Sequence, residues 1–491
     1  MTGDDGSAGR PATLGVARWH AFGVRAADGG EGTMVMVEAN DVHSARARVE
    51  RKNVQGLVFR SYNYPLTRHY FFQFPNAEGA RGFLREWVPH VTDAAQDVDA
   101  KPDPLLNIAF TWWGLNKTGV LAAATSQAFP EDIRGLPNAK AMRDLGCSAP
   151  DKWWNGKFKT EDVDVMLLAN CQSPASLAAQ GEAIRRSAAE FGVKELLPIN
   201  DGRDPLDGYL APGGILHFGY RDGISQPDVN WDDEPNKPNL VDRRWFLLGY
   251  DDGEVPWIDF VRDGSYLVLR WVSQNVPAFN TFLREKAAQL WPHMPPAEAQ
   301  ELLAAKMMGR WRNGTPLVKF PDGPETDEKK QRANDFSYAM DPDGVRCPFS
   351  AHIRIVHRRD DELDGANSVM FSPGTPRVLR RGSTYGPHLD GEVPDGNDRG
   401  LIGMFLCTNI EAQFLVLMRW INETNFHAKV TNFHGQDPLF GNRRMPSQSG
   451  KFEFQANGKQ HVLTDLQDFI RTKGTLMLFL PSMATLRKLS A

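Results

Sequence analysis

Three short segments carry residues whose types and spacing suit chemistry. The first is ILHFGYRDGISQPD (215–228), which sets Asp222 between Gly219 and Gly223 in a largely apolar run. A carboxylate held there can take and return a proton; the alternative is an ordinary Asp-Gly turn with Gly223 supplying a positive φ. The second is RCPFSAHIRIVHRRD (346–360), where His352 precedes Arg354, His357, Arg358 and Arg359. An imidazole followed by guanidinium groups suits a cofactor that offers a metal to the one and carboxylates to the others, as haem does. The alternative is a core histidine beside a solvated basic face. The third is RVLRRGSTYGP (377–387), where Arg380 and Arg381 are adjacent. Neighbours on an extended segment face opposite ways, so one of them can point inward; the alternative is an exposed basic turn.

Other chemistries lack their residues. No HExxH or paired-cysteine spacing supports zinc, and no GxGxxG or GxxxxGK[ST] stands in a strand–helix context. Cys147, Cys171, Cys347 and Cys407 are too far apart for a metal site or a CxxCH haem attachment. Four cysteines in 491 residues fit a reducing compartment, and Cys171 and Cys407, in apolar runs, read as buried thiols. The formal charge of −5, with both signs scattered, is unlike the basic footprint of a nucleic-acid binder. The start, MTGDDGSAGRPATLG, has no apolar core for a signal peptide, so residues 1–17 read as a disordered tail. No apolar run approaches the ~20 residues that span a bilayer. A cytoplasmic protein is expected.

The elements that must position these residues follow from periodicity. Strands are expected at 33–39, 69–74, 105–115 and 164–171, with helices at 42–54, 76–91 and 174–192. The Pro-rich stretch 232–242 reads as a linker and the charged segment 320–335 as a solvated loop. Beyond the linker, strands at 264–274, 401–410 and 475–481 alternate with helices at 276–291 and 411–423. This predicts an α+β sandwich, helices on one face of a sheet, in two halves of similar architecture.

Taken together, the three segments resemble the dye-decolorizing (DyP-type) haem peroxidases. HFGYRDGISQP matches that family's GxxDG motif, and DGSYLVLRWVSQNVPAFNTFL (263–283), NDFSYAMDPDGVRCPFSAHIR (334–354), LRRGSTYG (379–386), DRGLIGMFLCTNIEAQF (398–414) and HGQDPLFG (434–441) follow in order. The resemblance implies two ferredoxin-like α+β domains, antiparallel sheets with helices packed against them. It divides the chain into 18–235, carrying GxxDG, and 236–491, carrying His352 and most of the pocket for one non-covalent haem b. His352 is then the proximal iron ligand, Asp222 the distal acid–base and Arg380 the distal arginine. Arg359 is the propionate contact, with Arg354 and Gly223 also at the cofactor. The family reads N-P-R where this chain has His357-Arg358-Arg359. The change adds a charge and an imidazole, and makes His357 a competing contact. Gly403 stands where an aromatic residue is common, and Glu411 is the candidate partner of the proximal imidazole. The implied reaction is reduction of hydrogen peroxide through an oxoferryl haem and one-electron oxidation of organic donors, aromatic ones among them. The sequence does not choose the donor and leaves a homo-oligomer open. The alternative function is haem handling with incidental turnover; Asp222 and Arg380 together favour the enzyme, since a carrier needs only His352 and the propionate contacts.

Overall fold

The computed structural model describes residues 48–232, 240–250, 258–361, 376–389, 391–423, 436–444 and 450–491. The expected tail at 1–17, the strand at 33–39, the first part of the helix at 42–54 and the centre of the 232–242 linker lie outside these residues; the rest of that helix is described only as a short turn, Arg51–Asn53.

The sheet is built from ten strands: β1 (Leu66–Gln73), β2 (Leu105–Phe110), β3 (Val165–Cys171), β4 (Lys194–Leu196), β5 (Leu206–Tyr209), β6 (Ser265–Gln274), β7 (Leu379–Arg380), β8 (Ser383–Tyr385), β9 (Gly400–Cys407) and β10 (Ile470–Leu480). Every pairing among them is antiparallel. The pairings run β8–β5–β1–β3–β2–β10–β6–β9 and return to β8, so the sheet closes on itself. β4 pairs with β1, and β7 with β9. This corrects the expected sandwich: the architecture is an α+β barrel. Closure leaves only the short strands β4 and β7 with an open edge, bare edges being costly. Every position of β2 and β3 is buried. That burial accounts for their continuous apolar sequence, where a half-exposed strand would alternate.

The two halves of the sheet meet at two seams. At one, β2 and β10 share the pair Phe110–Phe479. There Gln55 Nε2 donates to Ile108 O at 2.8 Å and to Pro481 O at 2.9 Å, stapling both strands. At the other, Thr384 of β8 pairs with Tyr209 of β5 and its Oγ1 donates to Tyr209 O at 2.9 Å.

Helices begin where capping residues stand. α1 (Ala77–Trp87) is capped by Asn76, α2 (Pro174–Glu190) by Ser173 with proline at its first position, and α3 (Val276–Leu290) by Asn275. α4 (Pro296–Met308), α5 (His352–Val356), α6 (Val416–Asn422) and α7 (Met483–Ser490) complete the helices used below. The expected strand 105–115 stops at Phe110, because Thr111 caps a short helix, Trp112–Lys117. Gly114 makes that turn possible: a Cβ there would lie 1.9 Å from Asp164 O. The expected helix 411–423 opens as a π-type turn, Ile410–Leu415, before α6. Within the expected 320–335 loop, Glu328–Gln331 forms one helical turn. The four cysteines are unpaired, with Cys171, Cys347 and Cys407 buried. Among the described residues no helix is long and apolar enough to cross a membrane.

One buried ion pair ties β6 and β10 to the segment before the first half's third strand. Arg270 donates to both oxygens of Asp144, at 2.5 and 2.9 Å, and to Thr475 Oγ1 and Thr472 Oγ1, at 3.1 and 2.9 Å. Both charged side chains are under one-tenth exposed. Asp144→Ala strands a buried guanidinium and is expected to cost ~3–5 kcal/mol. Thr475→Val removes one hydrogen bond and should cost about 1 kcal/mol. Urea titration of the variants checks both the size and the order.

Candidate active site

Asp222 lies on the loop that links the first half to the second, and its shape is set by glycine. Gly219 and Gly223 both take left-handed backbone, at φ 84° and 76°, which other residues rarely adopt. Asp222 N donates to Gly214 O at 2.8 Å, closing the loop on itself. The turn reading and the chemical reading of Asp222 thus describe one structure. A Cβ at Gly223 would meet no protein atom, and Gly223 lines the cavity described below.

The loop meets β7. Arg380 Nη1 donates to Asp222 Oδ1 at 2.9 Å and Nη2 to Ser225 O at 3.2 Å. The neighbouring Arg381 points the opposite way, as strand geometry requires. Its Nε and Nη2 donate to Leu57 O and Val58 O at 2.7 and 2.8 Å. Burial raises the Asp222 pKa, but the charge and hydrogen bond of Arg380 and the Gly223 N–H outweigh it. The carboxyl sits below its usual range, ionised and able to accept a proton.

His352 opens α5 and lines the same cavity as Asp222 and Arg380. Its Nδ1 is 2.6 Å from Asp437 Oδ2, and its ring stacks on Phe440 with centroids 4.6 Å apart. Asp437 is fully buried and its other oxygen accepts from Leu439 N and Phe440 N at 2.8 and 3.0 Å. With a carboxylate at Nδ1, that nitrogen carries the proton and Nε2 keeps its lone pair. The expected partner Glu411 is exposed on the π-type turn, so Asp437 corrects that assignment. The signal was present in HGQDPLFG, an acidic residue inside an otherwise neutral segment.

The basic cluster after His352 divides. Arg354 is buried between Tyr338 and Phe349, 4.3 and 4.4 Å from the ring centroids. Its donors go to Asp361, Asp341 and the Cys347 carbonyl. That accounts for all five N–H groups of a guanidinium. Nothing remains for a ligand, and Arg354 is withdrawn from the cofactor residues. Arg358 packs over Trp420, 5.7 Å from the centroid. Arg359, His357, Arg377 and Arg310 line the cavity. Arg359 donates to Asn334 O and Oδ1 at 2.8 and 2.6 Å. Arg310 donates to Gly314 O, Ala333 O and Asn334 Oδ1. Burial lowers Arg310 and Arg377 to about 10. His357 Nε2 accepts from Arg377 Nη1 at 2.9 Å. Burial and then Arg377, Arg359 and Arg310 push it down to about 2, so the added imidazole brings no charge.

The cavity measures about 830 Å³, within the range of cofactor sites. Val356, Met404, Phe405, Phe414, Leu417 and Ile421 supply apolar wall. At Gly403 a Cβ would lie 2.8 Å from the Phe405 ring, so Phe405 covers the place where an aromatic residue was expected at 403. A haem fits this donor set. His352 Nε2 has no hydrogen-bond partner, and Arg310, Arg359 and Arg377 have no carboxylate partner among the described residues. Such buried cations suit the acid groups of a bound molecule.

Asp437→Ala removes the acceptor from His352 Nδ1 and from two backbone N–H groups, at about 1–3 kcal/mol for each donor left buried. Glu411→Ala should be neutral. Urea titration of the two variants separates the assignments.

Over residues 53–199 the chain matches the family model of the DyP dimeric alpha+beta barrel domain. It is 35% identical over 408 residues to a dye-decolorizing peroxidase of Mycena epipterygia, covering 76% of this chain and 73% of that protein. It is 28% identical over 485 residues to one of Mycetinis scorodonius, covering 90% and 88%. An ancestral D-type dye decolorizing peroxidase of known structure is 27% identical, has a TM-score of 0.74 and covers 91% of this chain and 100% of its own. With barrel, cavity and sequence in agreement over most of its length, the chain belongs to the dye-decolorizing peroxidase family and is a haem peroxidase.

Proposed function

We propose that Asp222 and Arg380 act on hydrogen peroxide above one non-covalent haem b held by His352. The contact of Arg380 Nη1 with Asp222 Oδ1 at 2.9 Å, in the cavity His352 lines, carries this reading. His352 Nε2 would meet the iron, with Asp437 holding the opposite N–H. Arg359, Arg377 and Arg310 would hold the propionates. The chemistry haem supplies when bound is acceptance of two oxidising equivalents from peroxide and their return to donors one at a time.

The chain's own residues manage protons and charge. Ionised Asp222 takes the proton from one peroxide oxygen and hands it to the other, which leaves as water. Arg380 keeps its proton at working pH and places fixed positive charge beside the departing oxygen. Aromatic one-electron donors are the proposed reducing substrates, and the four unpaired cysteines support a cytoplasmic setting. We also read the halves as two ferredoxin-like domains, 18–235 and 236–491. The strand orders β4–β1–β3–β2 and β10–β6–β9–β7 support this, with α1 and α2 after the first and third strands of the first half and α3 and α6 in the second.

Stopped-flow mixing of ferric protein with peroxide tests the distal pair. Asp222→Asn should slow the reaction ~10²–10⁴-fold, and Arg380→Leu ~10²–10³-fold or more. Resting haem content should persist in both; a wild-type rate in either removes that residue from the mechanism. His352→Ala should lose haem on gel filtration, and acidified organic solvent should extract haem from the wild type. Arg359→Ala should weaken haem retention by ~1.5–3 kcal/mol, and Arg358→Ala by less, because Arg358 lies off the cavity.

A further inference from the structure

Arg380 sits on an edge strand only two residues long. It pairs with Phe405 of β9, and the ladder hydrogen bond at this point is made by its neighbour, Arg381 N to Met404 O at 2.9 Å. In an antiparallel pair of this kind the N–H and C=O of Arg380 itself point away from β9, off the sheet edge. Gln226 takes both. Its Oε1 accepts from Arg380 N at 3.1 Å, and its Nε2 donates to Arg380 O at 3.2 Å. A carboxamide offers the same donor and acceptor as a peptide unit. The side chain therefore stands where a further strand would.

We infer that Gln226 is a positioning residue: its amide holds the Arg380 backbone in register with the loop that carries Asp222, and so holds the guanidinium against the carboxylate. The inference rests on the proposed roles of Asp222 and Arg380. The hold has work to oppose. Arg380 lies within electrostatic reach of Arg310, Arg377 and Arg381, and its carboxylate partner is Asp222. Like charges push the guanidinium off the carboxylate wherever its backbone can shift. The titratable and charged groups facing Asp222 are Arg380 and, from α5, His352, with Arg310, Arg359 and Arg377 lining the same cavity. Burial alone would raise the Asp222 pKa, and Arg380 is the largest influence lowering it. Loosening Arg380 therefore moves the pKa of the base upward, and the base is lost at a higher pH as the solution is acidified.

The test is the pH dependence of the reaction of haem-loaded protein with hydrogen peroxide, by stopped flow, in Gln226→Leu, Gln226→Glu and Gln226→Asn. Gln226→Leu should shift the acid limb upward by about one pH unit, the scale of one strong charge interaction, and lower the rate above the limb by less than Arg380→Leu does. Gln226→Glu keeps the acceptor and loses the donor, and its limb should lie between. Gln226→Asn keeps the amide but shortens its reach; it should shift in the same direction and serves if the leucine variant does not fold. Thermal unfolding is recorded alongside. Lower stability with an unmoved acid limb would make Gln226 merely structural and overturn the inference, as would a wild-type profile in all three variants. Asp222→Asn is the control. If it keeps the wild-type rate and limb, the proposed base is wrong and the inference falls with it; if it is slow while the Gln226 variants are unaltered, only the inference falls.

Discussion

The contact between Asp222 and Arg380 joins residues 158 positions apart, and little else in the site makes sense without it. A carboxylate in a largely apolar cavity tends to take up a proton, and a guanidinium there tends to be expelled. Each is tolerable because the other is present, and each then has the charge that its proposed role requires. The contact exists only because the sheet closes. Asp222 comes from the loop between the halves, and Arg380 from the strand beside β9. The seams at Phe110–Phe479 and Tyr209–Thr384 bring those parts of the chain together.

The arginines show how burial sorts residues of one type into different roles. Arg354 has every donor occupied, three by aspartate carboxylates and two by backbone carbonyls of the segments flanking α5. It fixes the start of the helix that presents His352. Arg310 and Arg359 pack on the same Phe336 ring, at 5.5 and 3.8 Å, and bond to carbonyl oxygens instead of carboxylates. Carbonyls satisfy their hydrogen bonds but bring no negative charge into contact with them. A wall of this kind attracts acid groups, while the doubly paired Arg354 does not. His357 belongs with the wall, yet its setting among cations keeps it neutral, so the substitution in the basic run alters hydrogen bonding more than charge.

The two faces of the cavity also differ in how their key side chains are held. His352 is held by a buried carboxylate that is itself fastened by two backbone N–H groups, a rigid arrangement suited to a fixed bond direction. Asp222 is held by a glycine-shaped loop and by a long, flexible arginine side chain. Under the proposed roles, a rigid hold suits the orienting of a ligand and a looser one the moving of a proton.

The sequence by itself determined the residue types and much of the local structure. Asp222, His352, Arg359 and Arg380 were legible from motifs in order, and helices such as Pro174–Glu190 from caps and periodicity, because these signals are local. The tertiary structure alone decided what depends on distant parts of the chain meeting. It turned an expected sandwich into a closed barrel, since strand pairing across the seams leaves no periodic trace. It set Arg380 and not Arg381 against Asp222, took Arg354 out of the site by filling its donors, and put Asp437 rather than Glu411 against His352. Sequence shows which groups can ionise or donate, but their partners are chosen in space, and it is the partner that sets a buried charge's energy and its use.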